Sequence, residues 1–126
     1  MDDTNEQWKP IPGYERTYEA STAGRIRSLD RLIPSVPTPY LHRGRILKPV
    51  PEHNGRLKVA LSQDGKRRMV DVSRLVGEAF LGIPPDGYCI AHVSADRSDN
   101  RVVNLQTIPR EDSRRRPRGP RKPRRR

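Results

Sequence analysis

Between residues 88 and 113 the chain collects most of the side chains that could do chemistry. His92 closes an apolar run, Tyr88-Cys89-Ile90-Ala91. The polar loop Asp96-Arg97-Ser98-Asp99-Asn100-Arg101 follows, then Val103-Asn104-Leu105, and further on Glu111, Asp112 and Ser113. An imidazole can accept a proton from water near neutral pH. Oxygen-bearing side chains can hold a hard cation or order a loop through hydrogen bonds to its backbone. Asp96 and Asp99 read as loop-ordering or turn residues ahead of metal ligands. Cys89 reads as packed in its strand, with no catalytic partner indicated. As the single cysteine it also excludes an internal disulfide and a zinc ribbon. His42, His53 and His92 are too scattered for a structural zinc site.

These residues need elements to position them. From Ser73, the apolar residues Leu75, Val76, Ala79 and Phe80 fall at the spacing of one face of a two-turn helix. Ser73 or Asp71 can cap its start and Gly82 its end. A Pro84-Pro85-Asp86-Gly87 turn leads into the run that ends at His92. Upstream, residues 45–50, 56–62 and 67–72 read as a three-stranded antiparallel meander, turned at His53-Asn54-Gly55 and Asp64-Gly65. Lys58, Lys66, Arg67 and Arg68 give that meander a basic edge, which reads as a solubility feature, and His53 reads as a turn residue. Residues 30–44 hold Pro34, Pro37 and Pro39 without periodicity and read as a linker. Before it, residues 18–21 and 24–29 read as two short strands joined at Thr22-Ala23-Gly24. Trp8, Tyr14, Tyr18, Ile26 and Leu29 can pack a small core there. Arg25 and Arg27, two apart on a strand, project from one face, either as a solvated surface or as phosphate contacts.

At 126 residues the chain has one domain's length, with only 32% apolar residues, so its core is thin. Thirteen prolines and nine glycines favour short strands and loops over long helices. No stretch is apolar enough for a signal peptide or a membrane span, so a cytosolic protein is expected. The net charge of +11 is unevenly placed: nine of the 26 basic residues lie in 114–126, leaving 17 against 15 acidic ones. That tail cannot bury a core and is expected to be disordered. Its charge density suits contact with a nucleic-acid backbone through counterion release, and it has no aromatic residue for base stacking.

Two groups of motifs carry a family resemblance. W-K-x-I-x-G-Y over residues 8–14, Y-E-x-S over 18–21 and G-R-I-R-S-L over 24–29 resemble the small modular DNA-binding motif found at the front of HNH homing endonucleases. V-S-R-L-V-G-E-A-F over 72–80, His92, Asp96 with Asn100-Arg101, and Asn104-Leu105 resemble the HNH nuclease core, in which two strands and a helix clamp a divalent metal. The resemblance implies an α+β fold: a small antiparallel β meander plus a ββα-metal core over 45–113, the modular motif over 6–29, a linker over 30–44 and a disordered basic tail over 114–126. It implies hydrolysis of DNA phosphodiester bonds with Mg²⁺, in a bacterial or phage-infected cell, with His92 as the base. Asp96, Asn100 and Asn104 would order the loop, the two amides by binding backbone groups. Because adjacent strand residues point to opposite faces, a bend or bulge is expected at Ala91-His92. DNA contacts fall to Arg25, Arg27, Arg114, Arg115, Arg116, Arg118, Arg121, Lys122, Arg124, Arg125 and Arg126.

The chain also departs from that pattern. Ser73 stands where relatives carry histidine, and Ala91 stands where they carry a polar ligand. The family's H-x-D-G becomes His92-Val93-Ser94-Ala95. The last ligand aligns with Ser113, a weaker donor than a carboxylate, which leaves Asp112 to serve by a shift of register. Its helix should be short, since Pro117 and Gly119 follow. These departures keep a second reading open, a DNA-binding relative that does not cleave. A third, an RNA-binding accessory protein, rests on the tail alone.

Overall fold

Proline and glycine interrupt the chain so often that, among the described residues, no strand exceeds seven residues and the longer helix has ten. The computed structural model describes residues 5–115, with backbone alone for Arg114 and Arg115. Arg114 and Arg115, expected in the disordered tail, close the last helix instead, because the helical turn begun at Arg110 continues through them; the disorder and contacts expected of residues 116–126 lie outside the described residues. Among the described residues the architecture is α+β, built from four small antiparallel sheets and two α-helices.

Three strands form the first sheet: β1 (Trp8–Pro10), β2 (Tyr18–Ser21) and β3 (Ile26–Ser28), in the order β1-β2-β3. The sequence pattern predicts the last two; β1 joins because Trp8–Pro10 pairs with Glu19–Ser21. The expected linker is itself a hairpin, β4 (Arg31–Ile33) and β5 (Tyr40–His42), with Leu32 opposite Leu41. Its strands of three residues are too short to display a period of two, and its three prolines sit in the loop, where they cost no ladder bond.

The meander forms with a shorter first strand than expected: β6 (Val50–Pro51), β7 (Leu57–Gln63) and β8 (Lys66–Asp71). Residues 45–47 are drawn instead to the edge of the first sheet. The Ser28 N–H donates to the Arg45 carbonyl, the Leu47 N–H donates to the Ile26 carbonyl, and Arg27 and Ile46 form a β-bridge. Helix α1 (Val72–Leu81) follows directly from β8, then β9 (Tyr88–His92), a 3-10 turn at Val102–Asn104, β10 (Leu105–Pro109) and α2 (Arg110–Arg115). Strands β9 and β10 pair without interruption from Tyr88 opposite Pro109 to His92 opposite Leu105. The bulge expected at Ala91-His92 is therefore absent, and both residues are buried.

One hydrophobic cluster runs through all of this. Ile11, Tyr18, Ala20 and Ile26 come from the first sheet and its flank, Val59 and Leu61 from β7, Val72, Leu75 and Val76 from α1, and Leu105 from β10. A thin apolar complement is thus pooled into one core rather than split into two. Of the residues expected in an N-terminal core, Tyr18 and Ile26 join this cluster and Tyr14 packs against it. Trp8 stays at its edge and takes arginine side chains on its ring instead.

Helix α1 buries the face that its apolar spacing predicts, although Ala79 and Phe80 are only half-buried. Asp71 occupies the N-cap position without a side-chain capping bond, because its carboxylate pairs with Arg56 at 3.5 Å. Gly77 lets the helix lie on β9: a Cβ there would sit 2.7–2.9 Å from three side-chain atoms of Ile90. Alanine is the better helix former by about 1 kcal/mol, but overpacking of this kind costs about 1–3 kcal/mol. Gly77→Ala is therefore expected to lower the urea midpoint of unfolding despite its improved helix propensity; a raised midpoint would mean that Ile90 yields freely.

Candidate active site

His92 is the last residue of β9, two positions beyond Ile90, which packs against the hydrophobic core. The ring is buried, with 6% of its surface exposed. Its Nε2 lies 2.8 Å from Oδ1 of the equally buried Asn100. A carboxamide oxygen accepts, so Nε2 carries the proton and Nδ1 is the basic nitrogen. The expectation for Asn100 was a tie to the loop backbone; its amide reaches across eight residues to the imidazole instead. The Asn100 Nδ2 is buried without a hydrogen-bond partner, a cost the fold bears to hold that oxygen in place.

The rest of the loop is self-contained. Asn104 Oδ1 accepts from the Ser94 N–H at 3.0 Å, and its Nδ2 donates to the Asp99 carbonyl at 2.8 Å, joining both ends of the loop. Asp96 Oδ1 accepts from the Ser98 N–H and hydroxyl at 3.0 and 2.6 Å. Asp99 takes Arg101 in a two-pronged pair, each contact 2.8 Å. The Ser98 hydroxyl holds the Asp96 carboxyl below its ordinary range, and the Arg101 guanidinium does the same for Asp99. For His92, burial lowers the pKa below the ordinary imidazole value. The hydrogen bond donated to Asn100 opposes that shift, the charges of Arg56 and Arg97 add to it, and Asp99 opposes it weakly. The ring is neutral at pH 7.

His92 faces an open cleft of about 610 Å³ formed by α1, the 83–87 turn, β9, the loop and α2. Its oxygen donors do not make a cation site. Ala91 presents a methyl group. Ser113 lines the cleft, but its hydroxyl donates to the Arg110 carbonyl at 2.8 Å. Asp112 is exposed on α2 and does not line the cleft, so the register shift that would bring it to the site is absent. Asp71 pairs with Arg56, and Glu78 pairs with Arg74 at 3.1 Å. Among the described residues no three His, Cys, Asp or Glu side chains gather where they could hold a metal. The side chains present do not fit a divalent cation. Two residues that the motifs do not single out, Arg97 and Arg110, also line the cleft. Nothing in a single sequence marks them, since Arg97 arrives on the loop and Arg110 opens α2.

Arg25 and Arg27 stand on one face, as their spacing predicts, but both are held within the protein. The Arg27 guanidinium lies 4.1 Å over the Trp8 ring and pairs with Glu19 at 2.6 Å; that of Arg25 lies 5.8 Å from the same ring and pairs with Glu6. A phosphate at either would compete with a carboxylate. Beside this stack, the turn after β2 braces the site. The Val102 N–H donates to the Thr22 carbonyl at 3.1 Å. Gly24, at φ +86°, lies so close to the Asn100 backbone that a Cβ would sit 2.8 Å from its carbonyl carbon.

Residues 6–62 match the model of the NUMOD4 motif, and residues 70–115 match the model of an HNH endonuclease. The chain is 26% identical over 102 residues to DNA endonuclease I-HmuI of Bacillus phage SP01, covering 81% of this chain and 52% of that protein. It is similar in fold to the solved structure described as DNA binding and cleavage by the HNH homing endonuclease I-HmuI. The TM-score is 0.66 at 23% identity, over 86% of this chain and 56% of that one. The chain thus spans about half the length of the relative it matches.

Two outcomes test the site. A histidine whose folded pKa is depressed stabilises the fold fully above its unfolded value of about 6.5, and that contribution is lost as pH falls through the folded value. In NMR titrations the His92 ring should therefore ionise below the ordinary histidine range; Asn100→Leu should lower the midpoint further, and Asn100→Asp should raise it. A midpoint indifferent to both changes would mean that Asn100 does not hold the imidazole. Gly24→Ala, remote from the cleft, should shift the His92 ring resonances by displacing the Asn100 backbone, and unchanged spectra would show that the brace is not needed.

Proposed function

On the premise that this chain joins a NUMOD4 motif to an HNH endonuclease domain, we propose that it binds DNA and hydrolyses its phosphodiester bonds, with His92 as general base. The observation that carries this reading is the buried, neutral imidazole whose Nε2–H is fixed on Asn100. A base must be deprotonated and correctly turned before the reaction begins. Here burial supplies the first condition and the Asn100 amide the second. Water beside Nδ1 gives up one proton to the ring as its oxygen bonds to phosphorus and the bond from phosphorus to one deoxyribose oxygen breaks. That oxygen takes a proton from solvent as it leaves. The depressed pKa keeps the ring ready below pH 7. I-HmuI, a protein described as binding and cleaving DNA, supports the assignment of DNA as the partner. The DNA placed here is that of a bacterial or phage-infected cell. No helix among the described residues is long and apolar enough to cross a membrane.

HNH nucleases are generally dependent on a divalent metal, and Mg²⁺ is the ion proposed for this lineage. The cleft's own side chains do not form a ligand set for it, so no step is assigned to that ion. Ala91 and the committed hydroxyl of Ser113 favour a second reading, a DNA-binding protein that does not cleave. Nicking of supercoiled plasmid, with Mg²⁺ or Mn²⁺ present, separates the two. Under the first reading His92→Ala loses about a hundredfold or more in nicking rate while binding duplex DNA as the wild type does. A His92→Ala protein that nicks normally would remove the base assignment. A wild-type protein that binds and never nicks would establish the second reading.

A further inference from the structure

We infer that the cleft beside His92 seats a DNA phosphodiester directly on the Arg97 and Arg110 guanidiniums, so that DNA engages it without a divalent cation. The inference rests on the DNA reading above and names what holds the phosphate.

The arginines that line the cleft fall into two groups: Arg56 and Arg74 each pair with a carboxylate. Arg97 and Arg110 do not: Arg97 Nη1 donates to the Asn54 carbonyl at 3.4 Å, and Arg110 Nη2 donates to the Tyr88 carbonyl at 3.3 Å. A backbone carbonyl orients a guanidinium without cancelling its charge. Both side chains line the cleft that His92 faces. Each spends one N–H on its tether and keeps further donors, in a planar fork that matches two phosphate oxygens.

The same arrangement disfavours a dication. The position before His92 has no donor atom, the Ser113 hydroxyl is occupied within α2, and the carboxylates of Asp71 and Glu78 are each paired with an arginine. An ion of charge +2 would enter a cleft lined by Arg56, Arg74, Arg97 and Arg110, where Asp71 and Glu78 are already paired and the exposed Asp86 of the turn is the remaining acid. A phosphate would enter the same space with attraction from both. The field in the cleft acts on His92 in the same sense, since Arg97 helps to keep that ring uncharged.

The test uses the full chain and a fluorescent DNA duplex, with binding followed by anisotropy in EDTA or in Mg²⁺ at matched ionic strength. The His92 ring resonances are followed in parallel. The wild type is expected to bind equally, within about twofold, in both buffers, and its His92 signal to move on adding duplex in EDTA. Arg97→Ala combined with Arg110→Ala should weaken binding about tenfold in both buffers, as loss of charge-assisted bonds implies, and should leave the His92 signal unmoved. The paired lysine substitutions, which keep charge and lose the fork, should fall between, and they guard against misfolding of the alanine pair. Ala91→Asp should make affinity rise with Mg²⁺. Wild-type binding that collapses in EDTA, or a His92 signal that still responds in the double alanine variant, would overturn the inference while leaving the DNA reading intact. A wild-type chain that binds no duplex in either buffer would overturn both.

Discussion

A buried imidazole must place its N–H on an acceptor or pay for leaving it unsatisfied, and at His92 that acceptor is the Asn100 amide. Much of the fold can be understood as what keeps these two side chains 2.8 Å apart. The uninterrupted β9–β10 pairing sets the height of His92, and Asn104 pins both ends of the intervening loop. Asp96 and Asp99 stiffen the loop from within. The unsatisfied Nδ2 of Asn100 shows which of the amide's two ends the surroundings serve.

The brace behind this pair comes from the far end of the sequence. The turn between β2 and β3 touches the Asn100 backbone through Gly24 and receives the Val102 N–H on Thr22. The first sheet and the histidine-bearing elements also share one hydrophobic cluster. With barely a third of its residues apolar, the chain has too little material for two separate cores. Pooling them couples the N-terminal motif mechanically to the loop that carries Asn100. It also explains why residues 45–47 leave the meander, since their backbone completes the edge of β3.

Charge is distributed by the same economy. Arginines that shape the surface of the first sheet are neutralised by glutamates and stacked on Trp8. Those of the cleft wall at α1 and its cap are paired with Asp71 and Glu78. Arg97 and Arg110 alone among the cleft's arginines are tethered by backbone carbonyls and keep their charge beside a neutral ring. Positive charge thereby accumulates where a base is already deprotonated, an arrangement suited to a phosphodiester and poorly suited to a bare cation.

Local signals in the sequence determined the parts of this protein that obey local physics. The apolar period of α1, the Asp64-Gly65 hairpin and the strands from residue 18 to 28 follow from side-chain spacing and turn chemistry. The motif around His92 and Asn104 likewise marks the site region. Only the tertiary structure decided which atoms meet. The β4–β5 hairpin is hidden because three-residue strands show no period, and the extra strand β1 because its pairing partners lie 9 to 13 residues on. That Asn100 turns to His92 rather than to backbone, that Asp112 does not line the cleft, and that Arg25 and Arg27 are paired with carboxylates while Arg97 and Arg110 are not, all depend on contacts between distant segments. Hydrogen bonding and charge compensation are properties of pairs, and a chain read in order shows only one member of each pair at a time.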